Sequence, residues 1–133
     1  MQPFEFLVPR RPLSHQAKNR SHVQEWRDFV FSRAYEVWKG VPVSSLHLRF
    51  TLVHLSEEDP PDINNIIKPV QDALIGLAYS DDSLVTDVQG HRRMTSDLID
   101  VAGLPDLLKE AVFHGVECVY VRIEPSNTLG ELL

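Results

Sequence analysis

"LHLRFTLVHLSEEDPPDINNIIKPVQDAL", residues 46–74, changes its periodicity halfway, and the fold depends on how that change is read. In the first half Leu46, Leu48, Phe50 and Leu52 alternate with His47, Arg49 and Thr51, the two-residue period of a half-buried strand. In the second half Ile63, Ile66, Ile67, Val70 and Leu74, with Leu77 just beyond, recur every three or four residues. That is one face of an amphipathic helix, ending near Gly76 to Ala78. Between the halves lie acids and two prolines, which suit a loop and a helix start.

The same reading extends to both sides. "FEFLVP" at 4–9 reads as a first strand, stopped by a proline that cannot donate to a ladder. Ser21 and Gln24 have the spacing of a capping box, and Val23, Trp26, Val30, Ala34 and Val37 predict a helix to about Lys39 before Gly40 and Pro42. "SLVTDVQGHRR" at 83–93 predicts a third strand, with Asp81 and Asp82 in the loop before it. Pro105 at a first helical position, then Leu107, Leu108, Ala111 and Val112 before Gly115, predicts a third helix. "VECVYVRIE" at 116–124 is the last strand, with Cys118 as a buried thiol. The tail "PSNTLGELL" is loose or packs through Leu129, Leu132 and Leu133. The expected class is α/β or α+β: one small domain over 1–133, with a mixed sheet of about four strands packed by two to three helices.

Composition limits the function. With 133 residues, 43% of them hydrophobic, the chain can build one core but not two. The sequence has no apolar run of membrane-spanning length, and "MQPFEFLVPRRP" lacks the pattern of a signal peptide, so a cytoplasmic location and no membrane partner are expected. A net charge of -6 opposes nucleic-acid binding on average, but the charge is unevenly spread. Residues 1–40 hold seven Lys/Arg against four acids, and Arg10, Arg11, Lys18 and Arg20 are candidate phosphate contacts. Residues 57–87 hold eight acids against Lys68 alone, a concentration that suits a divalent cation or a solvated acidic face.

The acids have a pattern. Asp62 and Asn64 precede or open the second helix, Asn65, Lys68 and Asp72 share a stripe at spacings of three and four, and Asp81 and Asp82 follow the helix. Mg²⁺ takes oxygen ligands and keeps several waters, so one or two carboxylates from separate segments plus an amide oxygen are adequate. Pro69 cannot donate a helix hydrogen bond, which leaves the Asn65 carbonyl without its usual partner if the helix already runs there. Ordinary structure also accounts for these residues: Asp62 or Asn64 as a cap, "SDDS" as a turn, and Lys68 with Asp72 as an i,i+4 pair.

"DINNIIKPVQDALIGLAYSDDSLVTD" resembles the RusA family of Holliday junction resolvases, bacterial and phage endodeoxyribonucleases. The family pattern is Asp-x-Asp-Asn, a Lys three residues on, an Asp four further, Ala-Leu, and a later Asp-Asp before a strand. It is met here by Asp62, Asn65, Lys68, Asp72, Ala73, Leu74, Asp81 and Asp82, and "FEFLVPRRPLSHQAKNR" is similar to the family's opening strand, proline turn and basic loop. The resemblance implies Asp62 and Asp82 as metal-binding catalytic carboxylates, with Asn64 and Asp81 completing the metal site. It implies Lys68 at the phosphate or leaving group, and Asn65 and Asp72 in support. It further implies Mg²⁺, a homodimer, and paired cuts in a four-way DNA junction. The chain departs from the pattern twice. Asn64 stands where the family has its second catalytic Asp, and Met94 to Gly115 is longer and more helical than a simple connection. The expected function is therefore a Mg²⁺-dependent junction endonuclease. The alternative is a junction-binding protein with weakened or lost cleavage, and a third reading is an acidic domain without DNA.

Overall fold

Strand β2 (Leu48–Ser56) lies inside the sheet, bonded on one side to β4 (Cys118–Pro125), antiparallel, and on the other to β3 (Val85–Met94), parallel. β1 (Phe4–Val8) adds to the far side of β4, antiparallel, so the order is β1-β4-β2-β3 and the sheet is mixed. A computed structural model describes residues 1–14 and 18–133 of the chain. The expected class, four strands with helices packed on them, is the one found. No helix among the described residues is long and apolar enough to cross a membrane.

Alternation along the strands sorts side chains to two faces. Phe4, Phe6 and Val8 of β1, Leu48, Phe50 and Leu52 of β2, and Val119, Val121 and Ile123 of β4 are buried on one face, under α1 (Arg20–Val37) and α2 (Ile63–Leu74). Leu55, Cys118 and Tyr120 face the other way, against Leu108 and Ala111 of α3 (Asp106–His114). Cys118 is buried as expected, and desolvation pushes its thiol up to about 11. The β2-α2-β3 segment is a parallel pair joined by a helix, which lays α2 against the edge strand β3. Gly90 permits this approach: a Cβ there would come within 2.9 Å of Ile67 Cδ1 and 3.0 Å of Ile63 Cγ1.

The boundaries differ from the sequence reading in ways the structure explains. The cap of α1 is Asn19, whose side chain accepts from the Ser21 and His22 amides; Ser21 lies inside the helix and Gln24 bonds Asp28, so the Ser21/Gln24 capping box does not form. The helix ends at Val37 because Trp38 turns extended and sets its ring edge-on to Phe4, with centroids 4.9 Å apart. α2 ends at Leu74, short of Gly76 to Ala78, because Ile75 is extended and Gly76 takes φ +87, turning the chain towards buried Tyr79. β2 starts at Leu48, where its pairing with both neighbours begins, and Leu46 is exposed. A 3-10 turn, Asp82–Leu84, precedes β3. Pro105 is the cap of α3 rather than its first residue, and Gly115 closes that helix in the left-handed region at φ +66. The tail forms a short helix, α4 (Leu129–Leu132), with Leu129 and Leu133 exposed.

Candidate active site

Lys68 projects from the middle of α2, and its ammonium lies 3.0 Å from Asp72 Oδ1 and 3.2 Å from Asp82 Oδ2. The first contact is the i,i+4 pair that the spacing allowed; the second joins α2 to the turn before β3. Asp72 is the more sheltered acid and also takes Arg27 Nη2 at 3.3 Å, so two cations hold it. Lys68 and Asp82 remain open to solvent, at 43% and 47% side-chain exposure. The hydrogen bonds to Asp72 and then to Asp82 hold the Lys68 ammonium above its ordinary pKa. Lys68 is therefore a fixed positive charge and hydrogen-bond donor, and a poor proton acceptor at neutral pH.

Asp62 caps α2: its Oδ1 accepts from the Asn64 amide at 3.2 Å and its carbonyl from the Asn65 amide at 3.0 Å. The capping role and a ligand role are compatible, since a carboxylate has several acceptor sites. Asp62 and Asn64 are exposed, Asn65 is half-buried, and Lys68 follows Asp62 by six residues, about 9 Å along the helix axis. Asp81 is exposed and directs Oδ1 to the Ser83 amide at 3.0 Å; that bond, more than its interaction with Asp82, holds its carboxyl below the usual range. The structure thus joins Lys68, Asp72 and Asp82 directly. It leaves Asp62 with Asn64 at the start of the helix, and Asp81 on its own turn.

Among the described residues no group of three or more His, Cys, Asp or Glu is arranged to hold a metal ion. The donor chemistry nonetheless fits Mg²⁺, which needs only one or two carboxylates beside its waters. Asp62, Asp81 and Asp82 offer carboxylate oxygens and Asn64 an amide oxygen, and Pro69 lies inside α2, which removes the usual i+4 amide partner of the Asn65 carbonyl.

The basic residues divide. Lys18 and Arg20 are exposed, and the Arg10 guanidinium stacks 5.0 Å from the Phe29 ring centroid. Arg11 turns inward, to the Asp59 carbonyl at 2.6 Å, Ser56 Oγ at 3.3 Å and Glu117 at 3.3 Å. Glu117 in turn accepts from buried His54 Nε2 at 2.6 Å and from the Glu57 amide at 2.9 Å. An ionised carboxylate only accepts, so Nε2 carries the proton and the buried Nδ1 has no partner among the described residues. Burial lowers the His54 pKa despite Glu117; burial would raise that of Glu117, but the Glu57 amide, His54 and Arg11 bring it down. Sequence reading missed Arg27, Arg92 and this network. Arg92, two residues from Gly90 and so on the α2 face of β3, reaches the Pro61 carbonyl at 3.5 Å; strand alternation alone was enough to find it.

A small mixed sheet with one helix that sets a lysine between two carboxylates is the frame in which comparison with known families is placed. The family model described as Endodeoxyribonuclease RusA matches residues 7–101, from the end of β1 to the loop after β3. The chain belongs to the RusA endodeoxyribonuclease family. A search of curated proteins finds no match.

Proposed function

We propose that the protein is a Mg²⁺-dependent endonuclease that cuts four-way DNA junctions in recombination and repair, acting in the cytoplasm as a homodimer so that two sites make paired cuts. The observation that carries this reading is Lys68, charged and half-exposed, held against Asp82 and Asp72 on a helix that Asp62 caps. Asp62 and Asp82, with Asn64 and Asp81, would hold the cation. Bound Mg²⁺ would supply charge neutralisation at the scissile phosphate and a more acidic water. Lys68 donates to a phosphate or leaving oxygen, where its charge counts most as negative charge develops. Asp72, tied to Arg27, fixes the Lys68 side chain, and Asn65 lies one turn before it. Hydrolysis adds water across one P–O bond and leaves a phosphate on one strand end and a hydroxyl on the other. Arg10, Lys18 and Arg20 track the backbone outside the site.

A specific residue favours a second reading. Asn64 is neutral where the family pattern has a carboxylate, which weakens the Coulombic hold on a cation and suits a junction-binding protein with reduced cleavage. The test is incubation of a labelled four-way junction and the matching linear duplex with the protein, with and without Mg²⁺. Cutting of the junction alone supports the enzyme, tight binding without cutting supports the binder, and neither activity refutes both.

A further inference from the structure

We infer that Arg11 is a positioning residue: its guanidinium fixes the loop that delivers Asp62, and it contacts no DNA phosphate. The inference rests on the proposed nuclease reading for its effect on cutting, and on geometry for the rest. Both terminal nitrogens of the guanidinium bond within the chain, with Nη2 on the Asp59 carbonyl at 2.6 Å and Nη1 between Ser56 Oγ and both Glu117 oxygens at 3.3 Å, while the side chain keeps 37% exposure. Glu58 adds an ion pair at 3.8 Å. Only Pro60 and Pro61 separate Asp59 from Asp62. Proline fixes its own φ and restricts the residue before it, so this link is a stiff strut and a displacement at Asp59 is passed on to Asp62.

The strut is anchored at both ends. Glu117, just before β4, is held by His54 and by reciprocal bonds in which its carboxylate takes the Glu57 amide and its own amide donates to Glu57 Oε1 at 3.1 Å. At the other end Arg92 holds the Pro61 carbonyl at 3.5 Å, and Asp62 caps α2. The surroundings also disfavour a phosphate. Glu58 and Glu117 both pair with Arg11, and a phosphate approaching it would meet their charge.

Arg11→Ala, Arg11→Lys, Glu117→Gln and the Arg11→Ala/Glu117→Gln double variant separate the two roles. Three readouts apply to each: single-turnover cutting at saturating Mg²⁺, junction Kd across a salt series, and hydrogen exchange at the Asn64 and Asn65 amides. Positioning predicts that Arg11→Ala slows cutting by about tenfold to a hundredfold, the scale of a small misplacement of a reacting group. Kd and its salt slope stay at wild-type values, and both amides exchange faster. Arg11→Lys does not rescue, because a point ammonium cannot reproduce a fork that serves three acceptors. Glu117→Gln gives the same phenotype, and the double variant adds little to it. Weaker binding with a salt slope lower by about one contact, restored by Arg11→Lys, overturns the inference in favour of a phosphate contact. If the wild type neither cuts nor binds junctions, the nuclease reading falls and hydrogen exchange alone decides. Unchanged Asn64 and Asn65 protection in folded Arg11→Ala then overturns the inference, and faster exchange sustains it. Should Arg11→Ala not fold, Arg11→Lys decides by the same readouts.

Discussion

Replacing Lys68 with Gln separates a stabilising ion pair from a chemical role, because the two differ in size. The ammonium is 3.0 Å from Asp72 and 3.2 Å from Asp82. At an effective dielectric of about 20 each contact would amount to roughly 5 kcal/mol, but Lys68 and Asp82 are nearly half exposed. Solvent screening and side-chain entropy reduce such pairs to about 0.5 kcal/mol each, and Asp72 keeps Arg27 in the variant. Lys68→Gln should therefore cost about 1 kcal/mol of stability, a fall in Tm of roughly 3 °C for a domain of this size. A donor aimed at charge that develops in the transition state contributes about 3 to 4 kcal/mol, so cutting should slow by about a hundredfold to a thousandfold. The assay pairs thermal unfolding with single-turnover cleavage of a labelled four-way junction at saturating protein. A variant that cuts within threefold of wild type refutes the role of Lys68. A fall in Tm beyond about 10 °C would mean that the pair is chiefly structural, and the site would need another cation.

Three further outcomes follow from the same geometry. Asn64→Asp adds a charge at almost constant shape, so half-maximal cutting should need about tenfold less Mg²⁺, while Asp82→Asn should abolish cutting; undetectable cleavage by Asn64→Asp with junction binding intact would favour the binding protein. Neutralising Lys18 and Arg20 together should weaken junction binding and lower its salt slope by about two contacts, and an unchanged slope in a salt-titrated binding assay would move the DNA surface elsewhere. His54 has a pKa lowered from 6.5 by burial, so the unfolded chain takes up the proton that the folded chain refuses. His54 therefore contributes stability that is fully present above pH 6.5 and lost as pH falls through its folded pKa, with Glu117 adding a further loss below 4.5. Unfolding midpoints measured from neutral to acid pH should show that fall in the wild type and a flatter profile in His54→Gln; equal slopes would contradict it.

What the sequence disclosed and what it withheld follow from the range of the interactions involved. β2 and α2 were legible because burial on one face repeats a period of two or of about 3.6, and the buried residues Phe50, Leu52, Ile66, Val70 and Leu74 carry it. Lys68 with Asp72 was legible for the same reason, since i and i+4 meet on any helix. Lys68 with Asp82 was not legible from spacing: the contact spans 14 residues and exists because β3 pairs parallel to β2, which brings the turn before β3 back against α2. Only the family pattern named those residues together. Helix ends were misread where a local competitor won, as when Asn19 rather than Ser21 supplied the cap and Gly76 turned the chain two residues early. Arg11 shows the limit most plainly. Its neighbours in sequence form a basic arm, which points to phosphate, while its neighbours in space are Glu58, Asp59 and Glu117, separated from it by 47, 48 and 106 positions. Charge along the chain says where a cation begins, and the fold decides which acid it meets. A basic residue beside a proline-stiffened acidic loop is thus as much a candidate for holding that loop as for holding DNA.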